Sequence, residues 1–162
     1  MKANFITALR KNHALEHATI AVLIGKVRAG TRLFGRAAGD GFYIYGDVSN
    51  ETVSQAADEG LARLKRGEHT LAVSPLCGTN LVVTALLAGL ASRAAMRDRK
   101  KTIPFSNVFL ATLAAVTLAQ PLGRLAQKHF TTSSDIADVE ITDVSSRGAG
   151  ARTRHKIRTL QS

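Results

Sequence analysis

The chain has one cysteine, Cys77, no tryptophan and only 5% aromatic residues. A single cysteine excludes an internal disulfide and a cysteine-rich zinc knuckle. So few rings weaken any reading in which bases stack on aromatics. Acidic residues are also scarce, 12 against 22 lysines and arginines in 162 residues, for a formal charge of +10. That excess favours an anionic partner, either nucleic acid or membrane headgroups. No G-x-G-x-x-G and no Walker spacing occurs, so the common nucleotide fingerprints are missing. No cleavable signal peptide is visible, since Met1-Lys2 is followed by a polar, charged stretch and the first apolar run, Ala18 to Gly25, is only eight residues long, which predicts a cytoplasmic start. Apolar residues at 45% and charged residues at 21% argue against disorder. The length suits one domain with a modest core.

What is present divides the chain into three parts, 1–75, 76–123 and 124–162. The first reads as an α/β unit. Ile6, Leu9, His13, Glu16, His17, Ile20, Leu23, Ile24 and Val27 recur at helical spacing and predict a helix over 3–29. The loop T-R-L-F-G-R-A-A-G-D-G follows. Its Arg36, with Arg28 and Arg32, is a solvated charge or a hold for a phosphate or headgroup. F-Y-I-Y at 42–45, between Gly41 and Gly46, predicts a short strand. Ser49 or Asn50 can cap a helix over 51–66 whose Val53, Ala57, Leu61 and Leu64 share a face, and Gly67 ends it. T-L-A-V-S-P at 70–75 predicts another strand, and strand, helix, strand implies a right-handed crossover with parallel pairing.

The second part is different in kind. Residues 76–92 and 102–123 carry no charge, and they flank R-A-A-M-R-D-R-K-K. These stretches approach the roughly 20 residues that span a bilayer. They predict a two-helix transmembrane hairpin whose Arg97, Arg99, Lys100 and Lys101 meet lipid headgroups. Gly89 and the alanines at 85, 88, 91, 111, 114 and 115 let the helices approach closely, and Pro121 bends the second. The competing reading is a buried soluble hairpin. The third part is polar. Alternation predicts strands at 136–144 and 152–160, joined by a glycine turn. The fold expected is α+β: a small mixed four-stranded sheet, two packed helices and the inserted hairpin. The segment R-T-R-H-K-I-R lacks aromatics and a known motif, which argues against nucleic acid as a partner. Membrane lipids and other membrane proteins are the partners expected.

Residues 13–17 read H-A-L-E-H. His13, Glu16 and His17 fall at i, i+3 and i+4, on one face of the first helix. Imidazoles so spaced can reach one zinc ion, and a carboxylate beside them can polarise its water. The same three residues can instead form a hydrogen-bonded polar seam, with Glu16 paired to Arg10, Lys11 or Arg63. C-G-T-N at 77–80 precedes the first apolar helix, with Thr79 or Asn80 as its cap. Cys77 is then a third metal ligand, a nucleophile beside His17, or a small buried residue in a tight turn.

H-x-x-E-H resembles the motif of the inverzincin metallopeptidases over these five residues. The resemblance implies His13 and His17 as zinc ligands and Glu16 as general base. It also implies a downstream carboxylate ligand, a role falling to Glu59 or, second, Glu68. On a larger scale, H-A-L-E-H-A-T-I, G-F-Y-I-Y-G, A-x-x-E-G-L-x-R-L and P-L-C-G-T-N-L-V resemble a bacterial domain-of-unknown-function family of small membrane proteins. That resemblance covers roughly residues 9 to 120. It implies an integral protein of the inner membrane and supplies no activity. Two functions are therefore carried forward: a membrane-anchored zinc hydrolase of peptide or amide bonds, and a non-catalytic membrane subunit or assembly factor.

Overall fold

A computed structural model describes residues 4–96 and 104–161. The expected headgroup residues Arg97, Arg99, Lys100 and Lys101 lie outside the described residues. The chain forms two units, one of Met1–Val73 with Lys128–Ser162 and the other of Ser74–Gln127.

The first unit is α+β. Helix α1, Phe5–Lys26, is capped by Asn4, whose side chain accepts from the Ile6 amide at 3.2 Å. It ends three residues before the expected Ala29. The chain there turns through Gly30 at φ +87°, and Thr31 donates to the Arg28 carbonyl. Strands β1, Phe34–Ala38, and β2, Gly41–Tyr45, pair antiparallel across the turn Gly39-Asp40. β1 lies in the segment expected to be a basic loop. Gly35, Ala37 and Ala38 are weak strand formers, and pairing with β2 supplies what propensity does not. Helix α2, Asn50–Lys65, starts at Ser49, which accepts from the Thr52 amide, and Gly67 at φ +93° ends it. Strands β3, Val139–Arg147, and β4, Arg154–Gln161, complete the sheet in the order β1-β2-β4-β3.

Every pairing in this sheet is antiparallel, so the expected mixed sheet and its parallel crossover are corrected. The segment read as a strand at 70–75 is a 3-10 turn, His69–Ala72. β4 occupies the place beside β2 where that strand would have paired, and Pro75 has no amide to donate.

One sheet face and the two helices enclose Leu15, Leu23, Phe42, Ile44, Val53, Leu64, Ile136, Val139 and Ile157. Each such side chain contributes about 1.5–3 kcal/mol on burial. The helices cross closely at Gly60, where a β-carbon would stand 3.1 Å from the Thr19 amide and 3.3 Å from the Ala18 β-carbon. Asn12 ties α1 to the sheet. Its amide donates to the Ala38 and Gly39 carbonyls, and its oxygen accepts from the Thr159 hydroxyl at 2.7 Å.

His155 is fully buried on the inner face, with Nδ1 3.4 Å from the Asn50 side-chain oxygen. Burial holds its imidazole below the ordinary value of 6.5. The unfolded chain therefore takes up this proton at a higher pH than the folded one. Its contribution to stability is complete above about pH 6.5 and is lost as pH falls towards the folded-state value. Thermal midpoints measured between pH 7.5 and 5 are expected to fall less steeply in His155→Gln than in the parent.

In the second unit, helices α3, Gly78–Ala95, and α4, Phe105–Ala126, pack against each other. Cys77 itself caps α3, accepting from the Thr79 amide at 3.4 Å, where Thr79 or Asn80 was expected. The Ser92 and Thr112 hydroxyls meet at 3.0 Å. At the other end the helices are held by a polar clasp. Gln127 donates to the Asn80 oxygen at 2.8 Å and the Ser74 carbonyl at 3.0 Å, and accepts from the Ser74 amide at 2.8 Å. The Asn80 amide in turn donates to the Pro75 and Ser74 carbonyls. Gly123 makes room, since a β-carbon there would stand 2.2 Å from the Asn80 oxygen. Both helices are long and apolar enough to cross a membrane.

Candidate metal centre

α1 carries His13, Glu16 and His17 on the face turned towards β1, the 3-10 turn and the segment after α4. His13 Nδ1 lies 2.9 Å from the Thr131 carbonyl, and His17 Nδ1 lies 2.8 Å from the Ala72 carbonyl. A carbonyl oxygen only accepts, so each Nδ1 carries the proton. In the neutral rings the lone pair is then on Nε2. Glu16 Oε2 lies 3.8 Å from His13 Nε2 and 3.9 Å from His17 Nε2. The rings are 4.4 Å apart and tilted by 58°. Glu16 and His17 are buried, and His13 is partly buried. Both Nε2 atoms thus lie within 4 Å of the same carboxylate oxygen.

Ligand atoms around tetrahedral zinc with 2.0–2.1 Å bonds stand about 3.3 Å apart, so each of the two nitrogen–oxygen separations is roughly 0.5 Å longer than a zinc site would need. The carbonyls on Nδ1 are the outer-shell partners that orient ligating histidines.

Each cation considered as a partner of Glu16 has another acceptor in the structure. The Arg10 guanidinium donates to the His129 and Thr132 carbonyls at 3.0 Å each. Lys11 pairs with Asp138, and Arg63 pairs with Glu68 at 2.7 Å and Glu59 at 4.0 Å.

Neither downstream carboxylate is brought to the histidines. Glu59 pairs with Lys26 at 2.9 Å. Lys26 is nine residues beyond His17, about 13 Å along the helix. Glu68 is held by Arg63 and by Arg66 at 3.5 Å, and the Arg63 hydrogen bond keeps its carboxyl below the usual range. Cys77 belongs to the other unit, as the cap of α3.

Gly35 was not expected at the site. A β-carbon on this β1 residue would lie 1.7 Å from Glu16 Oε1 and 2.4 Å from its carboxyl carbon. The carboxylate is therefore seated against bare strand backbone. Nothing local to the loop reveals this, because the contact depends on how the sheet registers against α1. Gly35→Ala is expected to push the carboxylate off the histidines and weaken metal binding about 10–100-fold, as loss of supporting groups does. Circular dichroism should be unchanged. Adding Glu16→Asp, with its shorter side chain, should restore part of the affinity.

The fold is that of an α+β protein with an apolar helical hairpin, and α1 carries a His-Glu-His cluster. Residues 8–144 match the family described as "Domain of unknown function (DUF6391)", and the chain belongs to that family. An uncharacterized protein of Picosynechococcus sp. (strain ATCC 27264 / PCC 7002 / PR-6) is similar at 39% identity over 137 residues, covering 77% of this chain. The match spans 66% of that relative, just under two thirds of its length. No solved structure matches the chain.

Proposed function

We propose that this protein is anchored in the bacterial inner membrane by α3 and α4 and holds a divalent metal, zinc foremost, on His13, Glu16 and His17. The observation that carries the metal reading is the convergence of both Nε2 atoms on Glu16 Oε2 at 3.8 and 3.9 Å. The membrane reading rests on the surface of the hairpin. Leu81 is 73% exposed and Phe105 80% exposed, and Val82, Leu86, Leu90, Phe109, Leu110 and Leu118 are exposed as well. A soluble hairpin would leave that surface in water, at about 25 cal/mol for each Å² of apolar area.

The α/β unit is placed on the cytoplasmic side, with Lys65, Arg66, Arg124 and Lys128 at the hairpin's flanks rivalling the five lysines and arginines of its connecting loop. A set of two histidines and one carboxylate leaves coordination positions open, and a bound zinc would lower the pKa of water there towards 7. Hydrolysis of an amide or peptide bond near the bilayer is the chemistry such a site offers. Glu16 fits the role of ligand better than that of base, because it is equidistant from both nitrogens.

The test is metal content and fractionation. Full-length protein purified in detergent should contain about one zinc per chain, and His13→Ala should contain none. Metal-free parent protein that takes up no added zinc would sink the centre and leave a structural polar seam in a non-catalytic subunit. Recovery in the soluble fraction without detergent would sink the anchor. A C-terminal reporter fusion active only in the periplasm would reverse the sidedness.

A further inference from the structure

The outer face of the sheet, opposite the core, carries a second feature. Alternation along β4 sends His155 and Ile157 inward and Arg154, Lys156 and Arg158 outward. Register places Tyr43 and Ser145 on either side of Lys156, and Tyr45 and Arg147 on either side of Arg154. Arg147 and Arg154 are thus direct cross-strand partners, an arrangement of like charges that destabilises a sheet by itself. Among the described residues, neither is ion-paired with a carboxylate.

Tyr43 and Asp40 fix the cations in place. Lys156 Nζ lies 2.6 Å from Asp40 Oδ1 and 4.3 Å over the Tyr43 ring, and the Arg154 guanidinium lies 5.5 Å from the same ring. Together with Ser145, Arg147 and Arg158 these residues line a recess of about 180 Å³. Asp40 lines it and pairs with Lys156, and Asp143 stands across from Arg158 in the register of β3 and β4. The guanidinium groups of Arg147 and Arg154, which face no carboxylate across the sheet, and two hydroxyls remain, and the planar fork of arginine matches phosphate oxygens two at a time.

We propose that this recess binds a phosphate group, held by Arg147, Arg154 and Arg158 with the Ser145 and Tyr43 hydroxyls. The ligand supplies the charge that the Arg147–Arg154 pair lacks. Two sources carry that chemistry, a free phosphate ion and the phosphodiester of an anionic lipid headgroup. This site is independent of the metal centre.

Full-length protein in phosphatidylcholine nanodiscs is titrated calorimetrically at fixed ionic strength with inorganic phosphate and with glycerophosphoglycerol, a soluble phosphodiester headgroup. At least one should bind. The double variant Arg147→Gln with Arg154→Gln should bind it at least tenfold more weakly, with an unliganded thermal midpoint equal to or above that of the parent. Preference for the phosphodiester assigns the headgroup, and preference for inorganic phosphate assigns the free ion. Arg66→Gln, which removes one exposed charge elsewhere, should bind like the parent, and an equal loss in it would overturn the proposal. So would absence of binding by both ligands, or undiminished binding by the double variant. Binding of an oligothymidylate that saturating phosphate does not displace would also overturn it, in favour of a nucleic-acid surface.

Discussion

His17→Ala is expected to abolish measurable zinc retention during purification. Added Co²⁺ should also lose its visible absorption in this variant. In the proposed centre the change removes a ligating lone pair, so its effect should exceed the roughly 10–100-fold that loss of a supporting hydrogen bond costs. His17 is the sharper probe of the two histidines because it is the more buried, and Ala72 fixes its ring. His17→Gln separates ligation from packing. Glutamine can keep a hydrogen bond to the Ala72 carbonyl but offers zinc no imidazole, so it should fold like the parent and still fail to hold metal. Parent-like zinc content in both variants would show that the imidazoles serve packing alone.

The second large effect is expected in the hairpin. Gln127→Leu conserves volume and removes three hydrogen bonds at once, from the Ser74 amide and to the Ser74 carbonyl and the Asn80 oxygen. Gln127 is fully buried and Asn80 nearly so. A buried group left without its partner costs about 1–3 kcal/mol, so the variant should lose about 3 kcal/mol or more. The matched control is Gln120→Leu, on an exposed position of α4. That change should stay within about 0.5 kcal/mol of the parent. Detergent-titrated unfolding, followed by loss of helical circular dichroism, measures both. Equal stabilities would mean that the clasp is not what holds α3 to α4.

These two sites differ in how far the sequence reveals them. Placing His13, Glu16 and His17 on one face needs only the helical period, which local spacing carries. Choosing their partners needs the rotation and slide of α2 against α1, which spacing does not carry. Glu59 is on a plausible helix, yet the crossing at Gly60 delivers it to Lys26. Gly35 is still less legible, because a glycine in an arginine-rich segment signals a turn before it signals a seat for a carboxylate. The strand at 42–45 showed through its aromatic and β-branched run between glycines, and those in the C-terminal part through alternation, both local properties. The order β1-β2-β4-β3 did not, since it depends on which strand reaches the edge of β2. The 3-10 turn at His69–Ala72 was misread for a related reason. A short apolar run has no period of its own, and a free carbonyl there is what His17 requires.

The two carbonyls that orient the imidazoles have a consequence beyond the site. Ala72 lies just before the second unit in the chain, and Thr131 lies just after it. They are gripped by side chains four residues apart, about 6 Å along α1. The α/β unit therefore closes its own circuit before and after a guest segment of more than fifty residues, Ser74 to Gln127. For the host, that guest amounts to a loop with its ends already tied side by side. Its length can change in evolution at little cost in chain entropy, because the cost of closing a loop grows only as the logarithm of its length. The same knot has a mechanical side: tension on either leg of the guest pulls directly on the backbone that aims a histidine.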